Sequence, residues 1–140
     1  MNDLLLKQIL QTTRTIASVG LSSNPDKESY QIVSYLKGRR YRILPVNPTA
    51  EFILDEKTYP DLLAIPGTEK IDVVQIFRRP EDVPPVVEQA IKIGAKVVWM
   101  QVGVINAEAA EAAKVAGLEV VMNRCMRAEH QRLIGGGLSL

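Results

Sequence analysis

Short apolar runs alternate with helix-like segments along almost the whole chain, and this alternation limits the fold more than any other feature. Five runs are typical of strands: TIASVGL from Thr15, YRILPVN from Tyr41, IDVVQIF from Ile71, AKVVWMQVG from Ala95 and LEVVM from Leu118. Each is nearly continuous in apolar residues, as are parallel strands covered on both faces. The pattern predicts an α/β fold, with a doubly wound parallel five-stranded sheet in three α/β/α layers.

Helix-boundary residues mark the segments between these runs. Ser29 is a candidate N-cap after the first strand, and Asn106 is one after the fourth. Pro84 and Pro85 suit a first helical turn, and Gly94 suits a helix C terminus.

Three further segments lie outside the regular alternation. NDLLLKQILQTT places Leu5 and Ile9 on one stripe and predicts an extra N-terminal helix against the sheet. Between the second and third strands, only YPDLLAI is expected to form a short helix in the crossover. We expect residues 1–134 to form a single domain and residues 135–140 a flexible tail.

Composition and charge exclude several classes of function. The 17 basic and 16 acidic residues give a net charge of +1, which offers no global field for nucleic acid or a membrane surface. No apolar run reaches the roughly 20 residues of a membrane span, and the first residues lack a secretion-signal pattern. The single cysteine cannot form an internal disulfide. We therefore expect a soluble, cytoplasmic protein.

The residues that follow the strands are candidates for a site, because open α/β sheets bind ligands outside the carboxyl ends of their strands. After the first strand, Gly20 allows a sharp turn, and the polar residues behind it offer donors near a helix N terminus, where a phosphate is favoured. The G-x-G-x-x-G dinucleotide pattern is absent, so an ordinary polar turn is an equal alternative.

Asn47 and Pro48 follow the second strand, where an NAD-type domain carries an acidic residue for the ribose. This disfavours NAD, although the Asn47 amide could bond a ribose or an adenine edge. An Asx-type turn that ends the strand is the alternative.

The third and fourth strands also end in candidate binding residues. Arg78 and Arg79 carry guanidinium groups that match phosphate oxygens, or are solvated charges balanced by nearby acids. Gln101 supplies a donor and an acceptor, and Gly103 allows close approach of a ligand, unless this is simply a tight turn.

Cys125 and His130 are the only cysteine and histidine, too few for a zinc site. Cys125 is predicted at the start of the last helix beside Arg124, which favours a thiolate, but a small buried hydrophobe is the commoner role. His130 lies five residues later on a different helical face, so no Cys–His dyad is predicted.

Four stretches together resemble a known family: VGLSSNPDKESYQIVSYL, YRILPVNP, IDVVQIFRRPEDVPPVVEQAIKIGAKVVWMQVGV and AGLEVVMNRCMRAEH. In this order they span roughly residues 15–130 and are similar to the small bacterial and archaeal CoA-binding proteins. Those are single domains similar to the N-terminal domain of the succinyl-CoA synthetase α-subunit. The resemblance implies a Rossmann-like domain that holds coenzyme A across its strand ends.

The resemblance also implies which residues contact coenzyme A. The first loop would hold the phosphates, the end of the second strand the nucleotide, and the fourth-strand loop the pantetheine arm. The implied contact residues are Gly20, Leu21, Ser22, Ser23, Asn24, Lys27, Asn47, Pro48, Phe77, Arg78, Arg79, Gln101 and Gly103. The sequence shows neither the synthetase's phosphohistidine domain nor its nucleotide-grasping part, and its first loop has one glycine where the synthetase has more.

These observations predict a protein that binds coenzyme A or an acyl-CoA without catalysing a reaction, as a carrier or sensor. Two alternatives stay open: an enzyme that uses Cys125 as an acyl acceptor or redox thiol, and an NAD(P)-binding regulator or oxidoreductase. An apolar sheet edge or the N-terminal helix could support a homodimer, and the residues indicate no particular protein partner.

Overall fold

Five parallel strands form the central sheet of the protein, for which a computed structural model describes residues 1–135. They are β1 (Thr15–Val19), β2 (Arg42–Val46), β5 (Val73–Ile76), β6 (Val97–Met100) and β7 (Glu119–Met122), arranged in the order β2-β1-β5-β6-β7. Two shorter strands, β3 (Phe52–Ile53) and β4 (Glu56–Lys57), form a separate antiparallel hairpin. The tail is predicted over residues 135–140, and residues 136–140 of it lie outside the described residues.

Helices cover both faces of the sheet. They are α1 (Asp3–Thr12), α2 (Glu28–Gly38), α3 (Val83–Lys92), α4 (Ala107–Val115) and α5 (Met126–Leu133). One apolar core joins the sheet to α1, α2 and α5, and a second joins its other face to α3 and α4. The predicted three-layer, Rossmann-like architecture with an extra N-terminal helix is confirmed. None of the helices within residues 1–135 is both long and apolar enough to cross a membrane.

Strand β1 shows why the apolar runs become central strands. All five of its residues are buried. Successive side chains of a strand point to opposite faces, so Ile16 packs in the core beside α1 and α2, and Ala17 packs in the core beside α3. A strand that contributes to two cores needs apolar residues at nearly every position, which produces the continuous run.

The helix boundaries agree with the predicted caps at most positions. The Asn106 side chain accepts a hydrogen bond from the Ala109 N–H at 2.9 Å and caps α4. Ser29 is a correction, because α2 begins at Glu28 with Lys27 in the cap position. The Ser29 Oγ instead accepts from the Ser22 N–H at 3.1 Å and joins the first loop to the helix.

The segment between β2 and β5 contains more structure than predicted. The expected short helix is a 3₁₀ turn, Leu62–Ala64, capped by the Asp61 carboxylate. The β3–β4 hairpin was not predicted, because its turn residues Leu54 and Asp55 both have positive φ, 53° and 61°. Such a turn is normally signalled by asparagine, aspartate or glycine followed by glycine, and here no glycine is present.

The chain reverses its direction of travel across the sheet between β1 and β5. From β1 it moves outward to β2, whereas from β5 it moves the other way, to β6 and β7. The connecting helices therefore leave a crevice at the carboxyl ends of β1 and β5, where open α/β sheets bind their ligands. Residues 20–27 and 77–82 form the two loops that border this crevice.

Candidate functional site

Two clefts open at the carboxyl ends of the strands. The larger, here the main cleft, has a volume of about 510 Å³ and lies among the loops that follow β5, β6 and β7. It brings together five of the predicted contact residues: Phe77, Arg78, Arg79, Gln101 and Gly103. The smaller, here the side cleft, has a volume of about 230 Å³ and is lined by Pro48 and Arg78 together with residues of β1, β2 and α3.

Arg78 is the residue that borders both clefts. Its guanidinium is 3.7 Å from the Asp82 carboxylate, and its side chain is 43% exposed. Arg79 is more strongly paired, with its Nε 3.1 Å from Asp82 and 3.9 Å from Glu81. The hydrogen bond to Asp82 raises the pKa of Arg79 above its ordinary value. Arg79 thus has the surroundings of a balanced surface charge, whereas Arg78 has a weaker partner and faces both clefts.

Gly20 holds the first loop against Arg78. Its φ of +84° is rarely adopted by residues with a side chain. A Cβ atom at this position would lie 2.7 Å from the Phe77 carbonyl oxygen and 2.9 Å from the Arg78 Cδ. The close approach of the two crevice loops therefore depends on glycine here.

The polar groups of the first loop bond mainly to one another. The Ser22 Oγ accepts from the Asn24 N–H at 3.0 Å, and the Asn24 Oδ1 accepts from the Asp26 N–H at 2.9 Å. Ser23 and Lys27 are exposed, and Leu21 is fully buried in the core. Among the residues that the structure describes, those of the first loop line neither cleft. A phosphate contact from this loop stays a prediction.

The Asn47 side chain joins the loops after β1 and β2. Its Nδ2 donates to the Leu21 carbonyl at 3.0 Å, while its Oδ1 accepts from the N–H groups of Thr49 and Ala50 at 2.8 and 3.0 Å. This is the Asx-type turn that the sequence left open as an alternative. Pro48, which follows it, lies in the wall of the side cleft.

Two buried polar residues at the site were missed by the sequence analysis. Ser18 in β1 and Gln75 in β5 are both 0% exposed. The Ser18 Oγ donates to the Gln75 Oε1 at 2.9 Å, and the Gln75 Nε2 donates to the Gln101 Oε1 at 3.2 Å. Their signal in the sequence was a polar residue inside an otherwise apolar central strand, since such a residue needs a buried partner.

Cys125 and His130 occupy different environments on α5. Cys125 is the N-cap residue, is partly buried and lies in the wall of the main cleft. His130 is buried against α2, and the Tyr35 hydroxyl lies 2.8 Å from its Nδ1. Burial and the nearby positive charge of Arg39 lower the pKa of His130.

Comparison with known proteins connects this site to a family. A family model described as a CoA binding domain matches residues 14–131. The chain is 39% identical over 125 residues to the uncharacterized protein YneT of Bacillus subtilis, covering 89% of this chain and 91% of that protein. A solved structure of a hypothetical protein from Pyrococcus horikoshii is 44% identical, with a TM-score of 0.92 over 96% of this chain and 94% of that one. An 85-residue stretch, 59% of the chain, is 34% identical to the ADP-forming acetate–CoA ligase II of Archaeoglobus fulgidus and spans 12% of that enzyme.

Proposed function

Because the chain belongs to the CoA-binding domain family, we propose that it binds coenzyme A or an acyl-CoA at the carboxyl ends of its parallel strands. Membership of the family confirms the resemblance read from the sequence. We propose further that the protein carries or senses this ligand and does not itself catalyse a reaction. The observation that carries the proposal is the position of Arg78, which borders two clefts at the crevice between β1 and β5.

The two clefts share Arg78 in their walls, and this arrangement supports an extended ligand with an anionic centre. Coenzyme A has a nucleotide at one end, a pantetheine arm at the other and a pyrophosphate between them. In this proposal the nucleotide lies in the side cleft near Pro48, the pyrophosphate contacts Arg78, and the pantetheine arm follows Gln101 and Gly103. A guanidinium donates to phosphate oxygens in pairs, which suits Arg78 to the central position.

Calorimetric titration with coenzyme A tests the proposal. Dephospho-CoA, NADH and ATP serve as competitors at one fixed ionic strength, because phosphate binding is sensitive to salt. We expect coenzyme A to bind in preference to NADH and ATP. Binding of NADH without binding of coenzyme A would overturn the proposal and favour the nicotinamide alternative.

Arg78→Ala and Arg79→Ala form a matched pair, since each removes one arginine from the same loop. We expect Arg78→Ala to weaken coenzyme A binding about tenfold or more, because a hydrogen bond to a charged group contributes about 1.5–3 kcal/mol. Arg79→Ala should change the affinity by less than about threefold, because Arg79 is 74% exposed and already paired. Equal losses of coenzyme A affinity in the two variants would contradict the proposed role of Arg78.

Cys125 supports a second candidate function, because it lies in the wall of the main cleft. Its sulfur could attack the carbonyl carbon of a bound thioester, which would transfer the acyl group to Cys125 and release free coenzyme A. Incubation with acetyl-CoA followed by intact-mass analysis tests this reaction. An acetylated wild-type protein with an unmodified Cys125→Ser variant would support acyl transfer, and two unmodified proteins would exclude it.

A further inference from the structure

The orientation of the Gln101 side-chain amide is determined by its neighbours. Gln101 is 5% exposed, and its Oε1 accepts from the Gln75 Nε2 at 3.2 Å and from the Met126 backbone N–H at 3.1 Å. A backbone N–H can only donate, so the atom that faces Met126 must be the amide oxygen. The second terminal atom of the amide is therefore the nitrogen, Nε2. No residue among 1–135 accepts a hydrogen bond from it.

The Gln101 amide is held in this orientation by a buried chain of polar groups. Ser18 donates to Gln75, and Gln75 donates to Gln101. Ser18 and Gln75 are fully buried in β1 and β5, the two strands that flank the crevice. Burying a polar group costs free energy unless the group is hydrogen-bonded. In this row of three side chains, each one forms a hydrogen bond with the next. We call Ser18, Gln75 and Gln101 the polar relay.

The relay ends in an unused donor at the main cleft. Gln101 lines that cleft together with Gly103 and Cys125. A donor on a side chain that is nine-tenths buried gains most from an acceptor that enters the cleft and replaces water. The Gln101 amide is neutral, whereas Arg78 offers a charged donor to phosphate in the same cleft. The donor left at Gln101 therefore suits a neutral acceptor, and a carbonyl oxygen is one.

We propose that the Gln101 Nε2 is a subsite for a carbonyl oxygen on the non-nucleotide arm of the ligand, and that Ser18 and Gln75 are positioning residues that hold this donor toward the cleft. The proposal rests on the proposed function. In coenzyme A the acceptor is an amide carbonyl of the pantetheine arm, and in an acyl-CoA the thioester carbonyl offers the same chemistry.

Gln101→Glu tests the subsite with little change of shape. The carboxylate keeps an oxygen for the N–H groups of Gln75 and Met126, but it places an acceptor where the outward donor was. Calorimetry would compare coenzyme A, acetyl-CoA and adenosine 3′,5′-bisphosphate, which lacks the pantetheine arm. We expect affinity for ligands that carry the arm to fall about tenfold or more, with a much smaller change for adenosine 3′,5′-bisphosphate. A loss confined to acetyl-CoA would assign the subsite to the thioester carbonyl, and equal losses for coenzyme A and acetyl-CoA would assign it to a pantetheine amide.

The positioning role is tested by removing the first two members of the relay together. Replacing both partners of a buried hydrogen bond by apolar groups leaves neither one unmatched, so Ser18→Ala/Gln75→Met should fold. We expect a several-fold loss of coenzyme A affinity at unchanged affinity for adenosine 3′,5′-bisphosphate. A merely structural role would affect both ligands alike.

The outcomes separate the two proposals. If the wild-type protein binds coenzyme A and Gln101→Glu weakens all three ligands equally, the effect is one of charge and the subsite is overturned alone. Unchanged binding of all three ligands by Gln101→Glu would also overturn the subsite and leave the proposed function standing. If the wild-type protein does not bind coenzyme A, the proposed function is overturned and the subsite with it.

Discussion

Gly20 and Arg78 determine how closely the two loops at the crevice approach each other. Gly20 combines a φ of +84° with a position where a Cβ atom would lie 2.7 Å from the Phe77 carbonyl oxygen. Both conditions exclude a side chain, for different reasons. The first is conformational, because left-handed backbone is costly for residues with a Cβ. The second is steric, because a carbonyl oxygen of the main chain cannot move aside without shifting its loop.

Gly20→Ala should therefore lower both stability and ligand affinity. We expect the free energy of unfolding to fall by about 1–3 kcal/mol, from left-handed strain and displacement of the second loop. Urea denaturation measures the first effect and calorimetry with coenzyme A the second.

Gly38→Ala is the matched control. Gly38 ends α2, and a Cβ atom there would meet no described atom within 4 Å apart from its chain neighbours and the backbone of its own helix. We expect this variant to be as stable as the wild type or more stable by about 0.5–1 kcal/mol, because alanine is favoured over glycine in a helix. If Gly20→Ala were as stable as Gly38→Ala, the close loop approach would not matter to the fold.

At the scale of the elements, caps and interhelical contacts hold the loops around the clefts. Asn106 contributes twice, since its Oδ1 accepts from the Ala109 N–H at 2.9 Å and its Nδ2 donates to the Pro80 carbonyl at 3.0 Å. The first contact caps α4, and the second joins the loop after β6 to the loop after β5. The main cleft thus has two of its walls connected by one side chain.

Asn106→Ala and Asn106→Asp separate these two contributions. Alanine removes both contacts, and we expect a loss of about 1–2 kcal/mol in the free energy of unfolding. Aspartate keeps the cap acceptor but cannot donate to Pro80, so we expect a smaller loss. Thermal or urea denaturation would compare the two variants, and an equal loss would show that the cap contributes nothing.

His130 joins α5 to α2, and we expect this contact to depend on pH. It is buried next to Tyr35 and Tyr41, and burial with the charge of Arg39 lowers its pKa, so the folded protein favours the neutral ring. In the unfolded chain the imidazole of this histidine takes up a proton as the pH falls through about 6.5. The stability contributed by neutral His130 is therefore present above that pH and is lost below it.

Urea denaturation at about pH 7.5 and about pH 5.5 measures this contribution. We expect the wild type to lose more stability between the two pH values than His130→Gln does. The comparison of the two proteins removes the contribution of other titrating groups. An identical loss in both would show that His130 does not titrate differently on folding.

Elements were predictable from the sequence where side chains alone determine them. Continuous apolar runs predict the five strands because two-sided burial requires them, and the Asn106 cap follows from its side-chain chemistry. The start of α2 was placed too late because Ser29 bonds to the first loop and not to its own helix. The β3–β4 hairpin was missed because Leu54 adopts a positive φ, which leucine rarely does, and no glycine follows it in the turn.

At the scale of the whole molecule, sheet order determines where a site can form. Five predicted residues from the loops after β5 and β6 meet in the main cleft, as expected from the carboxyl-end rule. The first loop does not join them there, because Ser22 and Asn24 hydrogen-bond to their own loop. The polar relay could not be foreseen, because the contact of Ser18 with Gln75 depends on which strands become neighbours.

The central claim is that coenzyme A binds at the carboxyl ends of β1, β2, β5 and β6. Two-dimensional ¹⁵N NMR during a titration with coenzyme A tests it most directly, because every backbone N–H reports its own surroundings. We predict progressive shifts in residues 20–28, 46–50, 77–82 and 101–106, with little change at the amino ends of the strands, around Asp72 and Lys96. Shifts confined to the amino ends or to the α3–α4 face, or none with coenzyme A in excess, would contradict the account.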